Sequence, residues 1–197
     1  MKEIELRKNF VKRIKRFEIG KSTLGKKIAS RYGFVLILVS ALLREEVARG
    51  TEMGLQYKRF MEKGTIVPAP LIIQLLMQKM LAYPSAYGYL IVGFPRDRKQ
   101  AILFNTEIKP PVLLVNLYAR RLILQDRMAK RSAEMIRFDD TEEAVCNRMI
   151  NYFTNVKSAI APNKSVMRII DAETNEEKVY DEMCILIEQI LSKQTES

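Results

Sequence analysis

A glycine followed by a lysine and two hydroxyl residues, Gly20-Lys21-Ser22-Thr23, is the first run in this chain whose residue types could do chemistry. It supplies the second half of the pattern G-x-x-x-x-G-K-[ST]. In that pattern backbone N–H groups at a helix start surround phosphates, and the lysine reaches the β- and γ-phosphates. The chain has no histidine, which removes Ser-His-Asp and Cys-His schemes and most side-chain acid–base chemistry. Its two cysteines, Cys146 and Cys184, stand far apart and outside any C-x-x-C spacing, so no zinc site is expected. Both fall in apolar helical patterns and read as core thiols. What remains is chemistry run on positive charge and backbone N–H groups. The formal net charge of +10 points to an anionic partner as well. Charge alone does not choose among a nucleotide, a nucleic acid and an acidic surface.

The elements that must position such a site are legible in the apolar pattern. Four runs have strand length: Phe34–Val39, Tyr89–Val92, Val112–Leu117 and Val166–Ile170. Continuous apolar runs suit strands covered on both faces, as in a parallel sheet. A fifth candidate, Asn9–Phe17, carries Lys12, Arg13, Lys15 and Arg16, an awkward load for a central strand. An edge position, partial unpacking or a compensating substitution elsewhere would each accommodate it. Between the strands, helical periodicity covers Leu71–Leu81, Leu122–Arg131 and Glu142–Ile160, the last placing Val145, Met149, Phe153, Val156 and Ile160 on one face. A terminal helix aligns Val179, Tyr180, Met183, Ile187, Ile190 and Leu191 on one stripe. Strands alternating with helices imply an α/β doubly wound parallel sheet with helices on both faces. At 197 residues, 48% apolar and 28% charged, without repeats or low-complexity linkers, the chain reads as a single domain spanning 1–197. No segment approaches the ~20 apolar residues of a membrane span. The N-terminus resembles neither a secretory signal nor a transit peptide, so a cytoplasmic location is expected.

Several separated motifs carry a family resemblance. Tyr32-Gly33-Phe34 follows the Gly20–Thr23 run and its helix. Leu42-Leu43-Arg44-Glu45-Glu46-Val47 comes next, then Met61-Glu62-Lys63-Gly64-Thr65-Ile66-Val67-Pro68. Gly93-Phe94-Pro95-Arg96 stands directly after a buried strand, with Gln100 four residues beyond Arg96. Arg127, Arg131, Arg137 and Arg148 are spaced by four, six and eleven, and Asp139-Asp140 follows the third. In order and spacing along nearly the whole chain, this set resembles the adenylate kinases, nucleoside monophosphate kinases with a P-loop kinase fold, in their short-lid form. The resemblance implies ATP and AMP as substrates with Mg²⁺ accompanying ATP; no side chain is assigned as a metal ligand, and the choice between Ser22 and Thr23 for the metal-facing role stays open. It assigns Gly20, Lys21, Ser22, Thr23 and Arg127 to the ATP side. Arg44, Gly93 and Arg96 fall to the AMP phosphate side, and Gln100 with the backbone at Val67 to the adenine. Lys21, Arg127, Arg131, Arg137 and Arg148 would stabilise the phosphoryl group in transfer, a reaction that needs positioning and charge more than proton shuttling. The resemblance also implies a monophosphate-binding insertion at about 40–69, a short lid at about 131–141, and an ATP-adenine border at Asp171-Ala172-Glu173. A monomer is expected.

The chain departs from that family pattern at ligand-facing places. The family's G-G-P-G-S-G-K-G-T is here Lys15-Arg16-Phe17-Glu18-Ile19-Gly20-Lys21-Ser22-Thr23. Glycines that reach positive φ and admit phosphate are missing. Glu18 adds a negative charge, opposing a phosphate by about 3 kcal/mol at ~6 Å and an effective dielectric of ~20. The family's S-T-G-D is Leu38-Val39-Ser40-Ala41, its aspartate before G-F-P-R is Val92, and the glycine after the A-E pair is Thr174.

Two functions follow. One is Mg²⁺-dependent transfer of the ATP γ-phosphoryl to AMP. The other is a catalytically impaired relative that binds a nucleotide or a protein. Nucleic-acid binding by the basic run Lys12–Arg16 is not the expected role, because no aromatic interleaving or recognition motif accompanies the charge.

Overall fold

In the computed structural model, residues 10–15, 21–120, 122–123 and 137–195 are described. Five parallel strands form one sheet: β1 (Phe10–Lys15), β2 (Val35–Leu38), β3 (Gly88–Val92), β4 (Leu113–Tyr118) and β5 (Met167–Asp171), in the order β2-β3-β1-β4-β5. Among the described residues these are connected and covered by the helices α1 (Lys21–Tyr32), α2 (Val39–Ala48), α3 (Glu52–Glu62), α4 (Ala69–Leu81), α5 (Arg98–Glu107), α6 (Glu142–Ile160) and α7 (Glu176–Thr195). A 3₁₀ stretch, Ala161–Val166, leads from α6 into β5. None of these helices is long and apolar enough to cross a membrane.

The alternation along β3 builds two cores. Leu90 and Val92 face one side, where Leu113, Val115 and Leu117 of β4 meet Leu24 and Ile28 of α1 and Val179, Met183 and Ile187 of α7. Tyr89 and Ile91 face the other, with Leu42 and Leu43 of α2, Tyr57 and Met61 of α3, and Ile72 and Leu76 of α4. All five residues of β3 are buried, which is why its sequence reads as one apolar run.

β1 answers the question its composition raised. It lies at the centre, paired with β3 on one side and β4 on the other, with Lys12 level with Leu90 and Leu113. The basic run is therefore not an edge strand. Three further expectations change. Val39 begins α2 rather than ending β2, so the chain turns from strand to helix with no loop. Cys146 is exposed, whereas Cys184 is buried as expected. On α6 the buried residues are Ala144 and Ala159, and Phe153 is exposed: small residues let this helix sit close, and the large ones lie at its flanks. The expected helix Leu122–Arg131 lies outside the described residues beyond Ile123.

The caps place the functional loops. Thr51 Oγ1 accepts from Gly54 N at 3.0 Å, and Thr141 Oγ1 from Ala144 N at 3.2 Å with Glu142 and Glu143 in the first turn. Pro68, which cannot continue a helix, separates α3 from α4. In a parallel sheet the ligand-binding crevice opens beyond the C-terminal strand ends. Here those ends deliver Leu38, Val92, Tyr118 and Asp171, next to the motifs singled out above.

Candidate active site

Beyond β3 the chain turns at Gly93, whose φ of +88° lies in the left-handed region that favours glycine. Among the described residues no atom stands within 4 Å of where a Cβ would be. Asp97 then caps α5, accepting from Gln100 N at 2.7 Å. That cap fixes the helix start so that the Gln100 side chain, 1% exposed, points back under the loop. Its Oε1 accepts from Arg96 N at 2.8 Å, and its Nε2 donates to Val67 O at 2.8 Å. One amide thus bridges the β3–α5 turn and the α3–α4 turn, keeping one proton and one lone pair for a further partner.

The second half of the site comes from α6 and the turn before it. Arg148 donates through Nε to Ala144 O at 3.2 Å, holding its stem along the helix. Its Nη1 lies 3.2 Å from Asp139 Oδ2. Its Nη2 reaches Asp139 O at 2.6 Å and Asp140 Oδ1 at 2.8 Å. The side chains of Asp139, Asp140 and Arg148 are 4%, 3% and 10% exposed, so charges taken from water are compensated by one another. Arg44 of α2 adds a longer contact to Asp139 Oδ2 at 3.7 Å. Arg137 is half-buried, and its carbonyl accepts from Asp140 N at 3.0 Å.

These pieces surround a small pocket, partly open to solvent, with Ser40, Thr65, Val67, Arg96, Asp139 and Arg148 in its wall. Its wall combines apolar side chains, Leu43, Met61 and Val67, with the polar and charged groups of Ser40, Thr65, Arg96, Asp139 and Arg148, a mixture that suits a ligand with an apolar or ring part and an anionic part.

The opposite end of the sheet crevice is built differently. Ser22 and Thr23, in the first turn of α1, are exposed. Gly25 lies so close to the sheet that an added Cβ would stand 3.2 Å from Leu36 Cδ1 and 3.3 Å from Val92 Cγ2. Val92 is 7% exposed and belongs to the apolar core. Past β5, Ala172 N donates to Tyr118 O at 2.8 Å. The Glu173 carboxylate accepts from the Arg120 backbone N–H and, at 2.8 Å, from its Nε. Gly20, Arg127 and Arg131 lie outside the described residues, as do Glu18 and the side chain of Lys21.

Comparison with known proteins decides the family. The adenylate kinase family model matches residues 18–166. The chain belongs to the adenylate kinase family. It is 33% identical to adenylate kinase isoenzyme 1 of Gallus gallus over 174 residues, 87% of this chain and 90% of that protein. Against isoenzyme 1 of Rattus norvegicus it is 32% identical with the same coverage. Its match to adenylate kinase isoenzyme 5 of Homo sapiens, 31% identical, covers 87% of this chain and 31% of that protein. The parallel α/β architecture agrees with the family's P-loop kinase fold, and membership makes the chain a nucleoside monophosphate kinase in type: a transferase that binds nucleotides.

Adenylate kinases work with Mg²⁺-bound ATP. Where the family places a carboxylate before G-F-P-R, this chain has a buried valine carrying no oxygen. No cluster of three metal-ligating side chains occurs among the described residues. Mg²⁺ bound chiefly by nucleotide phosphates and water asks little of the protein, and the Ser22 and Thr23 hydroxyls in the first turn of α1 are the described oxygen donors at this end that would meet it.

Of the motif residues, Arg44, Val67, Arg96, Gln100 and Arg148 converge on the cleft region, and Gly93 provides the turn that makes this possible. Ser40, Thr65 and the paired carboxylates Asp139 and Asp140 were not assigned roles from sequence. The adjacent acids two and three residues after Arg137 are the available signal, since buried carboxylates need cations.

Proposed function

We propose that this chain transfers the γ-phosphoryl group of ATP to AMP, giving two ADP, with the acceptor bound in the cleft between α2, the α3–α4 turn and α6. The observation that carries this reading is the Gln100 bridge. One buried amide joins Val67 O to Arg96 N, setting a base-reading group and a phosphate-facing guanidinium about one rigid turn. The adenine would meet Gln100 and the Val67 backbone, and Arg44 and Arg96 would take the acceptor phosphate. An acceptor phosphate oxygen would form the new bond to the γ-phosphorus as the bond to the β-phosphate oxygen breaks. Lys21, Arg127, Arg131, Arg137 and Arg148 would offset the charge that spreads over the transferring group. Partly buried guanidiniums do this more strongly than exposed ones, because less water competes with them.

A second reading is favoured by one observation. Val92 is apolar and packed in the core on the ATP side, while the AMP side keeps its arginines and Gln100. A relative that binds AMP without transferring phosphoryl groups would have this asymmetry.

Two measurements on one preparation separate the readings. ADP formation from ATP plus AMP is followed with and without Mg²⁺, against Lys21→Ala, and AMP binding is measured by calorimetry. Turnover that Lys21→Ala abolishes supports the kinase. AMP binding without turnover supports the second reading. Absence of both removes the acceptor site itself.

A further inference from the structure

The α3–α4 turn that carries Val67 is gripped from one side by α6. Asn147 Nδ2 donates to Lys63 O at 2.9 Å, and Asn151 Nδ2 donates to Gly64 O at 3.1 Å. The two asparagines stand four residues apart, one helical turn, so a single face of α6 presents both amides to consecutive carbonyls. These carbonyls end α3, where helical partners run out. The turn also lies directly on the helix backbone. Gly64 has φ +63°, and a Cβ there would fall 2.2 Å from Ala144 O. Ala144 O is in turn the acceptor of Arg148 Nε. One stretch of α6, residues 144–151, therefore backs the turn at Gly64, grips it at two carbonyls and carries Arg148.

We propose that Asn147 and Asn151 are positioning residues of the acceptor site. They hold the Lys63–Gly64 turn, and through it the Val67 carbonyl, at a fixed distance from Arg148. They touch no substrate atom. Their effect is to tie the base wall of the cleft to the helix bearing its guanidinium, so that the two ends of a bound monophosphate meet a preset spacing. The turn is also tied back to α3, where the Thr65 N–H donates to Phe60 O at 2.9 Å, and Val67 follows two residues after Thr65. The inference rests on the acceptor site proposed above.

The test compares the parent protein with Asn147→Ala, Asn151→Ala and the double variant. Asn155→Ala serves as control, because that amide donates to Asn151 O within its own helix. Two readouts are taken. Amide exchange at Lys63, Gly64 and Thr65 is followed in unliganded protein, and AMP affinity is measured by calorimetry. One net hydrogen bond corresponds to about a five-fold shift in an equilibrium. Each single variant is expected to speed exchange at the three amides about five-fold and the double variant more than ten-fold. AMP affinity in the double variant is expected to fall about ten-fold while Asn155→Ala matches the parent. Asn147→Ser, which keeps a shorter donor, is expected to recover part of the loss. AMP affinity unchanged in the double variant overturns the proposal. If the parent itself fails to bind AMP, the acceptor-site reading falls. The exchange data then decide the grip alone, and unchanged exchange rejects it.

Discussion

Arg148 reaches Asp139 twice, through Nη1 to the carboxylate Oδ2 at 3.2 Å and through Nη2 to the backbone carbonyl at 2.6 Å. The same Nη2 also takes Asp140 Oδ1. A guanidinium can span three acceptors in one plane, which a lysine ammonium on a flexible stem cannot.

Removing that plane takes from two buried carboxylates their shared guanidinium, and Asp139 keeps the longer contact to Arg44. Arg148→Met is expected to lose about 3–5 kcal/mol of stability, the cost of breaking a buried ion pair from one side. Arg148→Lys keeps the charge but not the fork and is expected to fall between the two. Urea unfolding of all three proteins checks the order. A methionine variant as stable as the parent would mean that water reaches Asp139 and Asp140 freely.

Gly33 and Gly64 share nearly the same backbone angle, φ +65° and +63°, but differ in surroundings. Around Gly33 an added Cβ meets nothing within 4 Å, whereas at Gly64 it would lie 2.2 Å from Ala144 O. Gly33→Ala is expected to cost about 1 kcal/mol, the conformational term alone. Gly64→Ala adds a backbone collision and is expected to cost at least about 2 kcal/mol more. Equal losses in chemical denaturation would show that the turn moves away from α6 without penalty.

Val92 tests the ATP side. Val92→Asp places a carboxylate among Leu24, Leu90 and Val115 and is expected to destabilise the free protein by about 3 kcal/mol. If the position borders a nucleotide-bound cation, ATP with Mg²⁺ raises the melting temperature more in the variant than in the parent. An equal shift in both proteins would place Val92 outside the ligand's reach.

The seam between α1 and α7 gives a pH dependence. Tyr32 OH donates to Glu188 Oε1 at 2.8 Å. Burial, then side-chain hydrogen bonding with Cys184 and Glu188, raises the Tyr32 pKa well above the ordinary tyrosine value. Burial raises Tyr57 and Tyr152 as well. A phenol whose pKa is raised in the folded state stays protonated there while the unfolded chain ionises. Its contribution is therefore complete below about pH 10, the unfolded tyrosine value, and declines as pH rises beyond it. Tyr32→Phe is expected to be less stable than the parent at pH 8 but to lose less stability between pH 10 and 11.5. Parallel pH profiles would remove Tyr32 from the linkage.

The fold was readable in the sequence wherever burial is two-sided. β3 and β4 are apolar because both faces are covered, and the α7 stripe of Val179, Met183 and Ile187 is buried as its spacing implies. Strand β1 was ambiguous because its centrality comes from pairing with β3 and β4, partners far along the chain that local composition cannot reveal. Around the candidate site, Arg44, Arg96 and Gln100 are singled out by motifs. Asn147 and Asn151 are not, because an exposed amide on a helix has the same local pattern whether it faces water or a distant carbonyl. Phe153 misled for a related reason: the close approach of α6 is set by Ala144 and Ala159, residues too small to mark a face.

The central place of β1 bears on how the chain emerges during synthesis. Both of its neighbours come later, β3 at 88–92 and β4 at 113–118. An apolar strand left with two open edges for so long would be prone to pair with other nascent chains. Lys12, Arg13 and Lys15 repel such copies from one another. Charges unusual for a central strand are thereby expected to lower the tendency of nascent chains to pair with one another before β3 and β4 are made.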